Sequence, residues 1–288
     1  MIYVMVDNES NRGFRRRRAL KASALGIGFI SGISGIAIAQ ENEFKRTIQK
    51  SHEVLNTRGL EAKVEFLNAN GVGVAQRVKR VNLSPHTGSN DKFANTQDDD
   101  FNSGDDATFY FHLYEDCDQN GHHDGTYTAE LGWNYDEGAF QDDRPEDAAQ
   151  LTWGPEEAWR KESRNFYEAT YTSDYVYFDD DSEVYGPGFR VQDEYDQSDT
   201  GWWYCGLYLE PTGDNDPDTR GVSGEYLHTW TEEGDPEISS ITVSYPWRIS
   251  VTLTDGDDKI GSEDIERDKD GDGFQLYQDE ATECRNSL

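Results

Sequence analysis

Alternation of apolar and polar residues with a period of two constrains the fold of this chain more than any other feature. It recurs in short runs between Ala107 and Thr254 that are rich in aromatic and β-branched residues. Such residues suit a pleated, half-buried surface, and turn residues separate the runs. The pattern predicts a mainly β fold, an aromatic-rich antiparallel β-sandwich or barrel. The runs cover residues 107–114, 126–133, 202–209, 226–230, 241–245 and 249–254.

A short helical segment precedes the β region. Phe44 and Ile48 fall on one face of a helix predicted over residues 41–56. A second short helix is predicted over residues 60–68, and residues 72–83 alternate loosely, as a strand does. This part of the chain therefore predicts two helices followed by one strand.

Two prolines mark boundaries within the β region. Pro155 stands near the start of a helix predicted over residues 155–165. Pro246 interrupts the last long alternation, which predicts two strands or one strand bent at a bulge. The chain accordingly divides into a signal-type segment 1–39, a helical and strand segment 40–83, a polar loop or linker 84–106, a β domain 107–254 and an acidic tail 255–288.

The charge of the chain indicates its solvent. It holds 58 acidic and 26 basic residues, and without residues 1–39 the net charge falls from −32 to −36. Molar salt shortens the Debye length to about 3 Å and screens such self-repulsion. Disorder is disfavoured, because disordered chains hold few aromatic residues and this one has 7 Trp, 16 Tyr and 13 Phe. The composition resembles that of secreted proteins of extreme halophiles, which fold in salt.

The N-terminal residues resemble a twin-arginine export signal. Arg16 and Arg17 are followed by Leu20 and Lys21, a weakly apolar stretch to residue 39, and a small-x-small pair at Ala37 and Ala39. The resemblance implies a cleaved signal peptide and a secreted or cell-envelope location. The alternative is an uncleaved N-terminal anchor, but four glycines dilute the stretch below a spanning helix. The mature chain is expected to hold no stable transmembrane segment.

A loop near the C-terminus resembles the calcium loop of an EF-hand. Carboxylates stand at loop positions 1, 3, 5 and 12, and a glycine stands at position 6. The resemblance implies an oxygen cage for calcium, the one cofactor that the sequence suggests, with flanking helices over residues 262–267 and 276–285. The alternative is a set of solvated turns in a very acidic chain. The candidate ligands are Asp268, Asp270, Asp272, the carbonyl of Phe274, and Asp279.

A second metal candidate lies between two predicted strands. Asp116, Asp118, Asn120 and Asp124 have the spacing of calcium ligands, but position 12 is Tyr127, which supplies no carboxylate. The Asn-Gly and Asp-Gly pairs here are hairpin turn signals. The pattern therefore favours a β-hairpin with a polar tip over a metal site.

Cysteines and one aromatic face give further candidates. Export permits a disulfide among Cys117, Cys205 and Cys284, and an odd number leaves one thiol free. Cys205 lies on the apolar face of its run, which predicts a buried thiol. The opposite face, with Trp202 among its aromatic rings, fits either a sugar-stacking platform or a surface buried under another part of the chain, and the pattern favours burial.

These observations favour a function without catalysis. No protease signature is present, and carboxylate pairs have little diagnostic value among 58 acidic residues. We therefore predict an exported, salt-adapted extracellular binding or envelope-associated protein with no catalytic residue assigned. A structural or adhesive cell-surface protein and a secreted hydrolase acting through a carboxylate pair stay open as alternatives. The expected partners are cations and envelope glycans or proteins, while the acidic balance argues against nucleic acid.

Changing both Arg16 and Arg17 to lysine is expected to block secretion, because the paired guanidinium groups identify signals of this kind. Immunoblots of cell and medium fractions measure the effect, with Arg12→Lys as the matched control. Normal secretion of the double variant would rule out export by this route.

Overall fold

In the computed structural model, two six-stranded antiparallel sheets form a β-sandwich, which confirms the predicted fold class. The structure describes residues 34–82, 106–117, 123–135, 146–163, 166–179, 186–192, 201–213, 215–231, 238–244, 248–253, 260–264 and 274–281. The helices are α1 (Ser34–Arg58), α2 (Leu60–Ala69) and α3 (Phe166–Ala169). The strands are β1 (Val72–Asn82), β2 (Asp106–Cys117), β3 (His123–Tyr135), β4 (Asp147–Gly154), β5 (Trp159–Lys161), β6 (Thr170–Thr172), β7 (Val176–Asp179), β8 (Gly188–Val191), β9 (Trp203–Pro211), β10 (Gly221–Thr231), β11 (Ile238–Ser244), β12 (Arg248–Leu253), β13 (Ile260–Asp264) and β14 (Phe274–Tyr277).

The two sheets have separate strand orders. Sheet A runs β1-β2-β3-β9-β5, and β6 also pairs with β9. Sheet B runs β13-β10-β4-β8-β7, and β14 also pairs with β10. Strands β11 and β12 form a hairpin of their own on either side of Pro246, which is the first of the two predicted alternatives, two strands rather than one bent strand. The segments 40–83 and 255–288 thus contribute strands to the same sandwich as residues 107–254.

The core lies between the inner faces of the sheets. Trp133 of sheet A packs on Tyr226 of sheet B with ring centroids 4.9 Å apart, and Phe109 packs on the same tyrosine at 5.4 Å. Burial of such rings contributes about 1.5–3 kcal/mol per side chain. The inner face of sheet A is the apolar face predicted from the alternation. Its other buried members include Phe111, Leu113, Ala129, Leu131, Cys205, Leu207 and Leu209.

The outer face of each sheet is also covered. The β11–β12 hairpin packs over β4, β8 and β10, and both faces of β4 are buried as a result. Helices α1 and α2 lie on sheet A, where Phe44, Ile48 and Leu67 pack against Val74 and Tyr208. Both predicted helices are confirmed, and no helix of the described residues is long and apolar enough to cross a membrane.

The helix predicted over residues 155–165 is wrong. Among the described residues 155–163, only the single turn Glu156–Ala158 is helical, and the chain then enters β5, which pairs with β9. The Trp159 ring packs edge-on against Tyr127 with centroids 5.2 Å apart. Pairing and packing across the sandwich therefore override the local helix signal.

Candidate functional site

A carboxylate is buried at the centre of the outer face of sheet A. Glu130 of β3 lies in register between His112 of β2 and Gly206 of β9, and it has no solvent exposure. Ionised carboxylates are very costly to bury without compensation. The surroundings of Glu130 therefore have to supply charge and hydrogen bonds.

One oxygen of Glu130 receives three hydrogen bonds. Lys63 of α2 donates from Nζ to Oε1, and the side chains of both residues are fully buried. Tyr110 and Tyr114 of β2 donate their hydroxyl hydrogens to the same oxygen at 2.7 Å and 2.8 Å. Lys63 Nζ also donates to the Tyr110 hydroxyl at 3.1 Å. The carboxylate thus connects α2 to β2 and β3.

The other oxygen receives two hydrogen bonds. His52 of α1 donates from Nε2 to Oε2 at 2.7 Å, and Tyr171 of β6 donates its hydroxyl hydrogen at 2.6 Å. The His52 ring also stacks on Tyr204 with centroids 3.8 Å apart. Five donors from four elements therefore converge on one carboxylate. We name this group the Glu130 cluster; it consists of His52, Lys63, Tyr110, Tyr114, Glu130 and Tyr171.

Two glycines leave room for the phenol rings of the cluster. A Cβ added at Gly132 would overlap the ring of Tyr110, and one added at Gly206 would overlap the ring of Tyr171. Glycine lets an aromatic ring lie flat on the sheet, so these hydroxyls reach Glu130 along its surface. Gly132 lies directly opposite Tyr110 in the strand register.

Electrostatics favour an ionised Glu130. Burial alone would raise the pKa of Glu130, but the charge of Lys63 and the hydrogen bonds from Lys63 and His52 hold this pKa well below its ordinary value. Burial lowers the pKa of His52 and of Lys63, while Glu130 opposes both changes. At neutral pH Glu130 is therefore a carboxylate in contact with Lys63, and His52 is neutral.

The three phenols of the cluster stay protonated. Burial, followed by the nearby negative charge of Glu130, raises the pKa of Tyr110, Tyr114 and Tyr171 well above its ordinary value. Each hydroxyl consequently remains a donor to the carboxylate over the whole range of ordinary pH. The cluster is thus a complete set of donors around one anion.

The tautomer of His112 follows from its neighbours. Tyr114 gives its single hydrogen to Glu130, so the Nδ1 atom of His112, at 2.8 Å from the Tyr114 hydroxyl, is the donor of that bond. Burial and the Lys63 charge lower the pKa of His112 to about 3, so its ring is neutral. Its Nε2 therefore carries a lone pair, and it has no hydrogen-bond partner among the described residues.

The Glu130 cluster was not predicted from the sequence. The sequence does contain a pattern that could have indicated it. In the runs 107–114 and 202–209, the face opposite the apolar one carries mostly aromatic residues rather than charges. Such faces indicate a second buried layer. The predicted burial of the 202–209 face is borne out at Tyr208, which packs against α1, while Trp202 and Tyr204 are only partly buried.

Strands border the candidate calcium loop in the described residues. Asp268, Asp270 and Asp272 lie outside those residues, so the calcium site stays a prediction. Where flanking helices were expected over residues 262–267 and 276–285, β13 ends at Asp264 and β14 ends at Tyr277. Residues 278–281 then form a single 3-10 turn, and the remaining residues of both ranges lie outside the described part of the chain. Phe274 is buried against Phe109, and Asp279 is exposed. No group of three metal-binding side chains occurs among the residues that the structure describes.

At the second metal candidate, β2 and β3 form the antiparallel hairpin that the turn signals predict. Asp116 is buried near the end of β2, and the side chain of Asp124 is outside the described set. Asp118 and Asn120 fall between β2 and β3 in the sequence and lie outside the described residues. A metal site there stays a prediction.

The export motif and the cysteines are only partly described. Arg16, Arg17, Leu20 and Lys21 lie outside the described residues, whereas Ala37 and Ala39 fall in the first turns of α1. Cys205 is a free, buried thiol, as predicted, and burial raises its pKa. Cys117 is disulfide-bonded, and Cys284 lies outside the described residues.

Comparisons with known proteins show no family. No family model matches the chain, and no curated protein matches it. One similar solved structure is the T6 backbone pilin of serotype M6 Streptococcus pyogenes, with 8% identity, a TM-score of 0.25, and coverage of 67% of this chain and 35% of the pilin. Another is the yeast delta-COP-I mu-homology domain, with 5% identity, a TM-score of 0.20, and coverage of 56% and 82% respectively. The chain therefore spans about a third of the length of the pilin.

Gly132→Ala is expected to lower the free energy of unfolding by about 1–3 kcal/mol, because the new methyl group displaces the Tyr110 ring from Glu130. Urea unfolding in molar KCl measures the change. Gly221→Ala is the matched control, since its Cβ would meet the flexible end of Gln275 at 3.1 Å. Equal stability of the two variants would contradict the tight packing of Tyr110.

Glu130→Gln is expected to cost about 3–5 kcal/mol, because it leaves the Lys63 ammonium buried without its counter-ion. Adding Lys63→Met to this variant should recover part of the loss. The control is Glu210→Gln at the exposed Arg160–Glu210 pair, with an expected cost below about 1 kcal/mol. Additive effects of the two cluster changes in urea unfolding would show that the residues do not act as a pair.

Proposed function

We propose that this protein is an exported, salt-adapted module that binds a glycan of the cell envelope and performs no catalysis. The observation that carries the proposal is a set of exposed tyrosines in one segment, residues 166–179. Tyr167 is 73% exposed, Tyr177 49% and Tyr175 42%. Large aromatic side chains at a surface are enriched in binding sites, because they bury much area at a small entropic cost.

The backbone conformation of Tyr175 is a second indication that residues 166–179 form a functional surface. Its φ of 65° lies in the left-handed region, where bulky residues rarely occur. The backbone N–H of Gln192 donates to the Tyr175 carbonyl at 2.9 Å and β7 begins at the next residue, so the conformation is held on the C-terminal side of Tyr175. Backbone strain of this kind persists where the fold requires it, and it often marks a functional surface.

The position of the segment suits an extended ligand. β6 pairs with β9 of sheet A, and β7 is the terminal strand of sheet B, so the segment passes along one side of the sandwich from sheet to sheet. The Tyr167 ring rests edge-on against Phe178 with centroids 5.4 Å apart, which limits its motion. Rigid phenol rings fit the apolar C–H faces of sugars.

Buried carboxylates support a role without catalysis. Both oxygens of Glu130 accept from the chain's own side chains, and Glu115 accepts from Tyr127. Asp147 likewise accepts from Tyr226. These three carboxylates accept hydrogen bonds that stabilise the fold. A hydrolase mechanism would therefore have to use other carboxylates.

A structural or adhesive role is the second candidate, and β1 favours it. This strand of eleven residues pairs with β2 without a bulge, and β2 is its one partner among the described strands. Gln76 is exposed, and Val78 is 50% exposed. An edge strand of this length can add a strand from another chain. Sedimentation of the purified protein in molar KCl measures such self-assembly.

Calcium binding by the loop 268–279 belongs to the same proposal. An affinity on the order of 10⁻⁴–10⁻³ M is expected, as in extracellular modules. Calorimetric titration in high KCl measures it, with Asp272→Ala as control. Saturable heat that survives this change would contradict an oxygen cage.

Changing Tyr167, Tyr175 and Tyr177 to alanine is expected to weaken binding to purified envelope glycan at least about ten-fold, since the loss of three stacked rings exceeds 1.4 kcal/mol. Co-sedimentation with insoluble glycan in molar KCl measures the bound fraction. Val78→Ala is the matched control, because it removes an exposed apolar side chain from another strand. Unchanged glycan binding by the folded triple variant would contradict the proposal and favour self-assembly through β1.

A further inference from the structure

An amine and a carboxyl group meet inside the Glu130 cluster without solvent. Lys63 Nζ contacts Glu130 Oε1, and neither side chain has any exposure. The residues are 67 positions apart in the sequence and belong to α2 and β3. Their union would form a covalent link between the helical layer and the central strand of sheet A.

We propose that Lys63 and Glu130 condense into an intrachain amide between Nζ and Cδ with the release of one water molecule. The ammonium and the carboxylate together supply every atom of the amide and of the water. Neither an oxidant nor any other co-reactant is consumed. The reaction converts two buried ions into one neutral group, and so removes the cost of keeping both ions out of water.

Proximity lowers the barrier to condensation. Groups held in contact behave as reactants at effective molarities on the order of 10⁵ M or more. Burial lowers the pKa of Lys63, which favours the neutral amine that attacks a carboxyl carbon. Nζ also lies 4.8 Å from the ring centroid of Tyr110 and 5.6 Å from that of Tyr114. These rings shield the site from water, which would hydrolyse the product.

The two oxygens of Glu130 have different partners, and these assign their roles. Lys63 first passes a proton to Oε1 along their hydrogen bond, and the resulting amine attacks Cδ. Negative charge then develops on Oε2, where His52 Nε2–H and the Tyr171 hydroxyl both donate. Two such donors stabilise a tetrahedral oxyanion. Oε2 becomes the amide oxygen and keeps both hydrogen bonds.

Tyr110 can complete the proton transfer. Its hydroxyl accepts from Lys63 Nζ at 3.1 Å and donates to Oε1 at 2.7 Å. It can therefore take the second proton from the attacking nitrogen while giving its own to Oε1. That transfer converts Oε1 into a water leaving group, and the C–O bond breaks as the amide forms. Tyr110 touches both reacting atoms and acts as a general acid–base catalyst.

Mass spectrometry tests the proposal directly. The secreted chain is kept folded in molar KCl, then denatured and reduced, so that the disulfide of Cys117 adds no ambiguity. Its intact mass is expected to be lower, by one water molecule, than the mass calculated for the same processed sequence. Trypsin should release one branched peptide that contains both Lys63 and Glu130. A folded chain with the full sequence mass and two separate peptides would overturn the proposal.

Two variants keep the test specific. Lys63→Arg retains the positive charge without a nucleophilic amine, and it is expected to show the full sequence mass. Tyr110→Phe keeps the ring and removes the proton relay, so the water loss should develop at least about ten-fold more slowly after refolding. Water loss in Lys63→Arg would show that the amide does not involve Lys63. An unchanged rate in Tyr110→Phe would show that Tyr110 does not transfer the proton. These readouts are independent of glycan binding, so the two proposals can fail separately.

Discussion

The requirement to compensate one buried carboxylate organises the outer half of this sandwich. Glu130 lies on β3, the middle strand of sheet A, and α1 and α2 exclude water from it. A charge in this place is tolerated because Lys63, His52 and three tyrosines surround it. The helical layer is therefore attached to the sheet by a polar centre as well as by an apolar contact. Removal of any one element leaves the carboxylate short of a donor.

Alternation in the sequence predicts the strands and their inner face, because burial between two sheets selects a strict period of two. Phe109 and Phe111 illustrate this, since both lie in the core as predicted. The helix predicted at Pro155 is wrong because β5 finds its partner in β9, more than forty residues further on, and local pattern contains no information about such pairing. Strand order and the covering of both outer faces likewise depend on contacts distant in sequence.

From the sequence, one could anticipate only that the outer face of sheet A is covered, and not which side chains meet there. Tyrosines opposite the apolar residues of β2 indicate a covered face, whereas the contact of Lys63 with Glu130 depends on the docking of α2. A lysine in a short helix ordinarily extends into water. Sequence motifs point instead to the acidic loops, whose candidate ligands fall mostly outside the described residues. Sequence motifs detect residues that are close together in the chain, whereas the side chains of this site come from five separate helices and strands.

The alternation around Glu130 has a consequence for how sheet A is assembled. Ala129 and Leu131 face the core on either side of it. If β3 paired with β2 one residue out of register, every side chain would change faces, and the carboxylate would enter the apolar interior while Leu131 met Lys63 and His52. A single acidic residue thereby discriminates against misaligned strands, and it does so by the penalty of an unpaired charge rather than by the shape of the core.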